Sequence, residues 1–205
     1  TNFIGYNGRH RLDTIGLIDH SADYRAWRHV KFFHGTGDAL AFGNVNAGHC
    51  ILEDIIVDQN GFDSYGLGPQ QNSVVRDCYF KNTGGGGAGA RAAIIAAYYG
   101  QEINGNNIDG WRGGGILLEY PAIVTNNIIV NTLGKGIEAS VTAAGVYAKA
   151  IRNNTIYNNA SDGIKTNDVS SLIGLEIYNN ILSTNGGYGI NIAAGDTAGN
   201  RLWPQ

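Results

Sequence analysis

The stretch at residues 126–137, NNIIVNTLGKGI, returns at 153–164 as NNTIYNNASDGI and at 179–190 as NNILSTNGGYGI. A Gly-Ile pair closes each copy, and its Ile (Ile137, Ile164, Ile190) lies ten residues after the second Asn (Asn127, Asn154, Asn180). Self-similarity at such a period marks stacked structural units. With the second Asn as reference, the template extends back through Asn106, Cys78, Asp54 and Val30, at spacings of 21 to 28 residues, giving seven units that average 25.

Two columns of this alignment are apolar throughout. Three residues before the reference stand Trp27, Ile51, Val75, Ile103, Val124, Ile151 and Ile177; two residues after it stand Phe32, Ile56, Phe80, Ile108, Ile129, Ile156 and Leu182. The third column, ten residues on, holds Leu40, Ile116, Ile137, Ile164 and Ile190, with insertions needed to reach Leu67 and Ile94. Three short apolar strands per unit, separated by polar or Gly turns, describe one coil of a parallel β-solenoid, which buries its face only by stacking on the next coil. Stacking about 4.8 Å apart turns each column into a ladder. The Asn106, Asn127, Asn154, Asn180 column then reads as an internal ladder of side-chain amides bonded to one another and to the turn backbone.

Composition agrees. Of 205 residues 31 are Gly and 23 are Asn, which marks many tight corners, and no long window has the 3.6-residue period of a helix. Hydrophobic residues at 43% and charged ones at 15% exclude a disordered polyelectrolyte. A net charge of -3 and a pI near 5.9 argue against nucleic acid as a partner, and Gly and Asn interrupt every apolar stretch before it could span a bilayer. A chain without Met reads as a processed product or a segment of a larger protein.

The repeat NNxI followed by Gly-Ile resembles the right-handed parallel β-helix of the pectate-lyase-like superfamily, over residues 27 to about 193. That resemblance implies an all-β, right-handed solenoid of about seven coils. The strand at Gly-Ile would form the first sheet, that of Ile103 and Ile151 the second, and that of Ile108 and Ile156 the third. Residues 1–24 are expected to be an incomplete first coil or cap, 25–195 the β-helix, and 196–205 a further coil or cap. Members of the group include polysaccharide lyases, uronan epimerases, glycoside hydrolases and virion spikes.

Function on such a scaffold sits on outward side chains and enlarged loops. In the first sheet the outward columns read Ile95, Leu117, Glu138, Lys165, Asn191 and Ala97, Glu119, Ser140, Asn167. Glu119 and Glu138 are a candidate carboxylate pair, able to hold Ca²⁺ against a uronate or to act as acid and base, with Lys165 or Arg112 supplying the cation or base of lyase chemistry. A solvated sheet face with one Glu138–Lys165 ion pair accounts for the same residues. Tyr98 and Tyr120 should stack on adjacent coils and, with Tyr99 and Trp111, offer an aromatic platform for a sugar. The alternative is an aromatic ladder capping the core. Loops at 83–91 and 141–149 would border a groove, and the glycine run Gly84–Gly87 lacks the context of a phosphate cradle.

All five His lie within the first 50 residues without metal-ligand spacing, so no metal site and no cofactor is expected, Ca²⁺ excepted if the chain is a lyase. Cys78 falls in an inward column; Cys50 is expected to face outward, out of disulfide reach. The expected function is a β-helix module of a larger extracellular or virion-surface protein that recognises a polysaccharide or cell-surface glycan, with or without processing it, and has a neighbouring chain or domain at the helix ends. The alternative is a purely structural rod without catalysis.

Overall fold

The computed structural model describes residues 17–19, 26–33, 40–42, 48–58, 66–81, 91–140, 150–167, 174–192 and 201–202. Every regular element among them is a strand of two to four residues, and all pairings are parallel. The chain winds through three sheets in turn. The first runs β1 (Leu17–Asp19), β4 (Leu40–Phe42), β7 (Leu67–Gly68), β10 (Ile94–Ala96), β13 (Ile116–Leu118), β16 (Ile137–Ala139), β19 (Ile164–Thr166), β22 (Ile190–Ile192). The second runs β2 (Ala26–Arg28), β5 (Ile51–Glu53), β8 (Val74–Arg76), β11 (Gln101–Asn104), β14 (Ala122–Thr125), β17 (Ala150–Arg152), β20 (Glu176–Tyr178), β23 (Arg201–Leu202). The third runs β3 (Lys31–Phe33), β6 (Ile56–Asp58), β9 (Tyr79–Lys81), β12 (Asn107–Asp109), β15 (Ile128–Val130), β18 (Thr155–Tyr157), β21 (Ile181–Ser183).

This is a parallel β-solenoid. Turns with all three strands described through their side chains number about five, β7–β9 to β19–β21, rather than the seven expected. In the first two units the first-sheet strands β1 and β4 are described by backbone alone. Of the expected terminal segments, 1–24 and 196–205, only Leu17–Asp19 and Arg201–Leu202 lie within the described residues, and they pair with β4 and β20. Most of the 83–91 loop, all of the 141–149 loop, and His10, His20 and His34 lie outside them.

The inward columns form one core. Leu67, Ile94, Ile116, Ile137 and Ile164 line the first sheet, Leu52, Val75, Ile103, Val124, Ile151 and Ile177 the second, and Val57, Phe80, Ile108, Ile129 and Ile156 the third, all buried. Each fully buried side chain of this kind contributes about 1.5–3 kcal/mol.

Two features make the corners. Between the second and third sheets each turn uses two residues, the first with positive φ and the second pointing inward. The positive-φ position is filled by His29, Asp54, Asp77, Gly105, Asn126, Asn153 and Asn179, with φ between 51° and 69°. This is the left-handed region that Asn, Asp and Gly tolerate. The inward position carries the amide ladder. Asn106, Asn127 and Asn154 each donate Nδ2 to the Oδ1 of the next Asn at 2.9–3.0 Å, and that same oxygen accepts the backbone N–H of the donor residue at 2.9–3.0 Å.

The second unit corrects the sequence alignment. Asp54 is the positive-φ corner residue, so Ile55 occupies the inward reference position. The inward strand residues are accordingly Leu52 and Val57, aligned with Val75 and Phe80, instead of Ile51 and Ile56. A slip of one residue exchanges the two faces of a strand. For the same reason Cys50 is buried rather than outward, its backbone N–H donating to Ser73 Oγ at 3.2 Å. Both cysteines are free thiols.

Candidate functional site

The turns between the third and first sheets build the site. In four successive turns this corner has six residues, 110–115, 131–136, 158–163 and 184–189, and its columns can be read across. Position one has positive φ in Gly110, Asn131, Asn158 and Thr184. Position two, Trp111, Thr132, Asn159 and Asn185, points inward. Asn159 Nδ2 donates to Asn185 Oδ1 at 2.9 Å, and Asn159 Oδ1 accepts from Thr132 N–H at 3.0 Å and Oγ1 at 2.8 Å. This is a second polar ladder. Position six is always Gly, and at Gly115, Gly136 and Gly163 a Cβ has no room: at Gly115 it would lie 2.5 Å from both Gly136 O and Ile129 Cγ2.

Positions three to five reach solvent except at Gly113 and Asp162, which are buried, and the glycines among them leave a groove. Gly113, Gly114 and Gly134 contribute no side chain, so a volume of about 500 Å³ opens between Arg112, Leu133 and Lys135 of the corner and Leu117 and Glu138 of the first sheet. Arg91 and Ser161 also line it. A Cβ at Gly134 would come within 2.9 Å of Gly114 N and 3.1 Å of Gly113 O, so the floor depends on glycine. Leu133, 62% exposed, and Leu117 give it apolar surface, one from the corner and one from the sheet.

The charges are Arg91, Arg112 and Lys135 against the single carboxylate of Glu138. Lys135 Nζ donates to Glu138 Oε1 at 2.6 Å, and Asn167 Nδ2 donates to the same oxygen at 2.8 Å. Partial burial of Glu138 favours its neutral form, but the hydrogen bonds from Lys135 and Asn167 and the charges of Lys135 and Lys165 outweigh this and hold the carboxyl below its ordinary range. Glu138 is therefore a fixed anion and acceptor, poorly suited to donate a proton.

The structure separates the sequence-predicted residues. Arg112 and Glu138 both line the groove. Lys165 is aligned with Glu138 across β16 and β19, as the register predicts, but the ion pair is made by Lys135 instead. Glu119 follows β13 and is not among the residues that line this groove. Tyr98, Tyr99 and Tyr120 cluster at the other end of the first-sheet strands: the Tyr98 and Tyr120 rings are nearly parallel, 6.2 Å apart, and Tyr99 meets Tyr120 edge-on at 4.7 Å. Trp111 is not part of any surface platform. It occupies the inward second position, fully buried, edge-on to Phe80 at 6.3 Å, with its indole N–H donating to Arg91 O.

Lys135, Arg91, Leu117, Leu133 and Ser161 were not among the expected site residues. The signal for Lys135 was available: it lies three residues before Glu138 within the third-to-first-sheet corner. Among the described residues no group of three or more His, Cys, Asp or Glu is placed to hold a metal ion, and no helix is long and apolar enough to cross a membrane.

No curated protein and no solved structure matches the chain. The family described as a right handed beta helix region matches residues 100–202, which includes the groove corner from Arg112 through Ser161. With half of its length matched and a parallel solenoid throughout the described residues, the chain belongs to the right-handed β-helix family.

Proposed function

We propose that this chain is a recognition module of an extracellular or virion-associated protein, binding a polysaccharide in the corner groove beside the first sheet without cleaving it. The observation that carries this reading is the groove itself, whose lining combines the apolar side chains Leu117 and Leu133 with the polar groups Arg112, Lys135 and Glu138. Sugars present both kinds of surface, an apolar ring face and a rim of hydroxyls, and sites that bind them combine the two. Three cations against one carboxylate favour a glycan bearing acidic groups.

The carboxylates favour binding over hydrolysis. Hydrolysis by the usual route needs two carboxyl groups flanking one bond, one of them protonated. The groove holds only Glu138, and its neighbours favour the charged form. The tyrosine cluster is a second surface on which a longer glycan would rest.

The test is a panel of uronic-acid and neutral polysaccharides, with binding followed by calorimetry and cleavage followed by unsaturated products and new reducing ends. Binding without products, lost in Arg112→Ala and Lys135→Ala, is expected. Turnover abolished by Glu138→Gln would overturn the binding-only reading, and absence of binding to every member would favour the purely structural rod.

A further inference from the structure

The chain contains two Asn-x-Ser/Thr sequences, Asn153-Asn154-Thr155 and Asn159-Ala160-Ser161. This is the acceptor sequence for N-linked sugars, and in a folded protein it functions only where the Asn amide is accessible. The two copies lie in consecutive corners of one turn, yet the solenoid places them in opposite environments.

Asn153 is the positive-φ residue of the corner between the second and third sheets, with φ 57°, and its side chain is exposed. Its backbone is committed, the N–H donating to Tyr178 O at 3.3 Å, while among the described residues no hydrogen bond engages its side-chain amide. Thr155 lies in the outward column of the third sheet, aligned with Ile128 and Ile181. The intervening Asn154 points inward into the ladder, which fixes the backbone on both sides of the acceptor.

Asn159 is the reverse case. It is buried, its Nδ2 donates to Asn185 Oδ1 and Ile129 O, and its Oδ1 accepts from Thr132. A sugar on that nitrogen would have to leave through the core.

We propose that Asn153 is a site of N-linked glycosylation and that Asn159 is closed to it by the fold. In the transfer, Asn153 Nδ2 bonds to the anomeric carbon of a sugar activated on a pyrophosphate carrier. The bond from that carbon to the carrier oxygen breaks, the pyrophosphate leaves with the electron pair, and Nδ2 gives up one proton. The attached glycan would project from the corner and leave both ladders intact. This inference does not depend on what the groove binds.

The test uses the purified full chain, a soluble N-glycosyltransferase that reads Asn-x-Ser/Thr, and nucleotide-activated glucose, with sites located by peptide mass spectrometry. The folded chain should gain hexose at Asn153 and none at Asn159, whereas the urea-unfolded, diluted chain should gain it at both. Asn153→Gln and Thr155→Val should each abolish the folded-state product, with circular dichroism confirming an unchanged fold. The proposal is overturned by a folded chain that stays unmodified at Asn153, whether or not the unfolded chain reacts, or by modification of Asn159 in the folded chain.

Discussion

Replacing Asn154 by Ala removes one rung of the internal amide ladder and should cost far more than an average polar substitution. Five hydrogen bonds go with the side chain: those that Asn154 Oδ1 accepts from Asn127 N–H and Nδ2, and those that its own Nδ2 donates to Val124 O, Arg152 O and Asn180 Oδ1. A typical buried hydrogen bond is worth about 1 kcal/mol net, and a buried donor left without a partner costs about 1–3 kcal/mol. The Asn127 side chain keeps its bonds to Ile103 O and Thr125 O, so the orphan that matters most is the Asn127 backbone N–H. The expected destabilisation is about 3–5 kcal/mol on that accounting. Because stability in a solenoid is a sum over neighbouring turns, the loss should be local. Urea unfolding gives the overall change, and amide hydrogen exchange should show protection lost at Asn127 and its neighbours while the turns around Phe80 keep theirs. A variant within about 1 kcal/mol of wild type, with the Asn127 amide still protected, would refute the idea that the ladder holds the corners.

Gly163→Ala should destabilise by at least about 1–3 kcal/mol, since its Cβ would stand 2.7 Å from Gly189 O and 2.8 Å from Asn185 Nδ2; thermal melts against the exposed substitution Ala160→Ser check this. Glu138 has a folded-state pKa below its ordinary 4.5, so the stability it contributes is complete above that value and is lost as pH falls through the folded one. The acid limb of a stability-versus-pH curve should therefore be shallower in Glu138→Gln, and an unchanged limb would contradict the Lys135 and Asn167 assignments. Burial pushes the Cys78 thiol up to about 12, so it should resist alkylation at pH 8 in the native state and react on unfolding. Rapid native labelling at Cys78 would mean that the second-to-third-sheet corner opens.

The fold could be read from the sequence because stacking forces equivalent residues into columns, and three near-copies of NNxI with Gly-Ile ten residues on defined those columns. The reading slipped where the copies degenerate. In the second unit, Asp54-Ile55 stands where the last three units have two Asn, and only the positive φ of Asp54 shows which of the pair turns the corner. That single step misplaced Cys50, Ile51 and Ile56 together. Trp111 was misassigned because its column, shared with Thr132, Asn159 and Asn185, is chemically mixed; the burial of a Trp beside three polar residues follows from corner geometry rather than from residue type.

The groove was only half visible for a different reason. Outward positions on the first sheet could be counted along each strand, which placed Glu138 and Leu117 correctly. Lys135 and Leu133 belong to the corner, where alternation no longer applies and side-chain direction depends on the turn. What makes the groove is missing side chains at Gly113, Gly114 and Gly134, and an absence of volume carries no residue-type signature of catalysis or binding. The Tyr98–Tyr120 stack, by contrast, followed directly from strand register.

The most direct test of recognition at the groove is a crystal structure of the protein with an oligosaccharide from whichever polysaccharide binds best in the panel. The account predicts sugar density between Leu133 and Leu117, with polar contacts to Arg112 and Lys135 and the Lys135–Glu138 pair retained. An empty groove, with the sugar bound on the tyrosine cluster or on the second or third sheet, would contradict it.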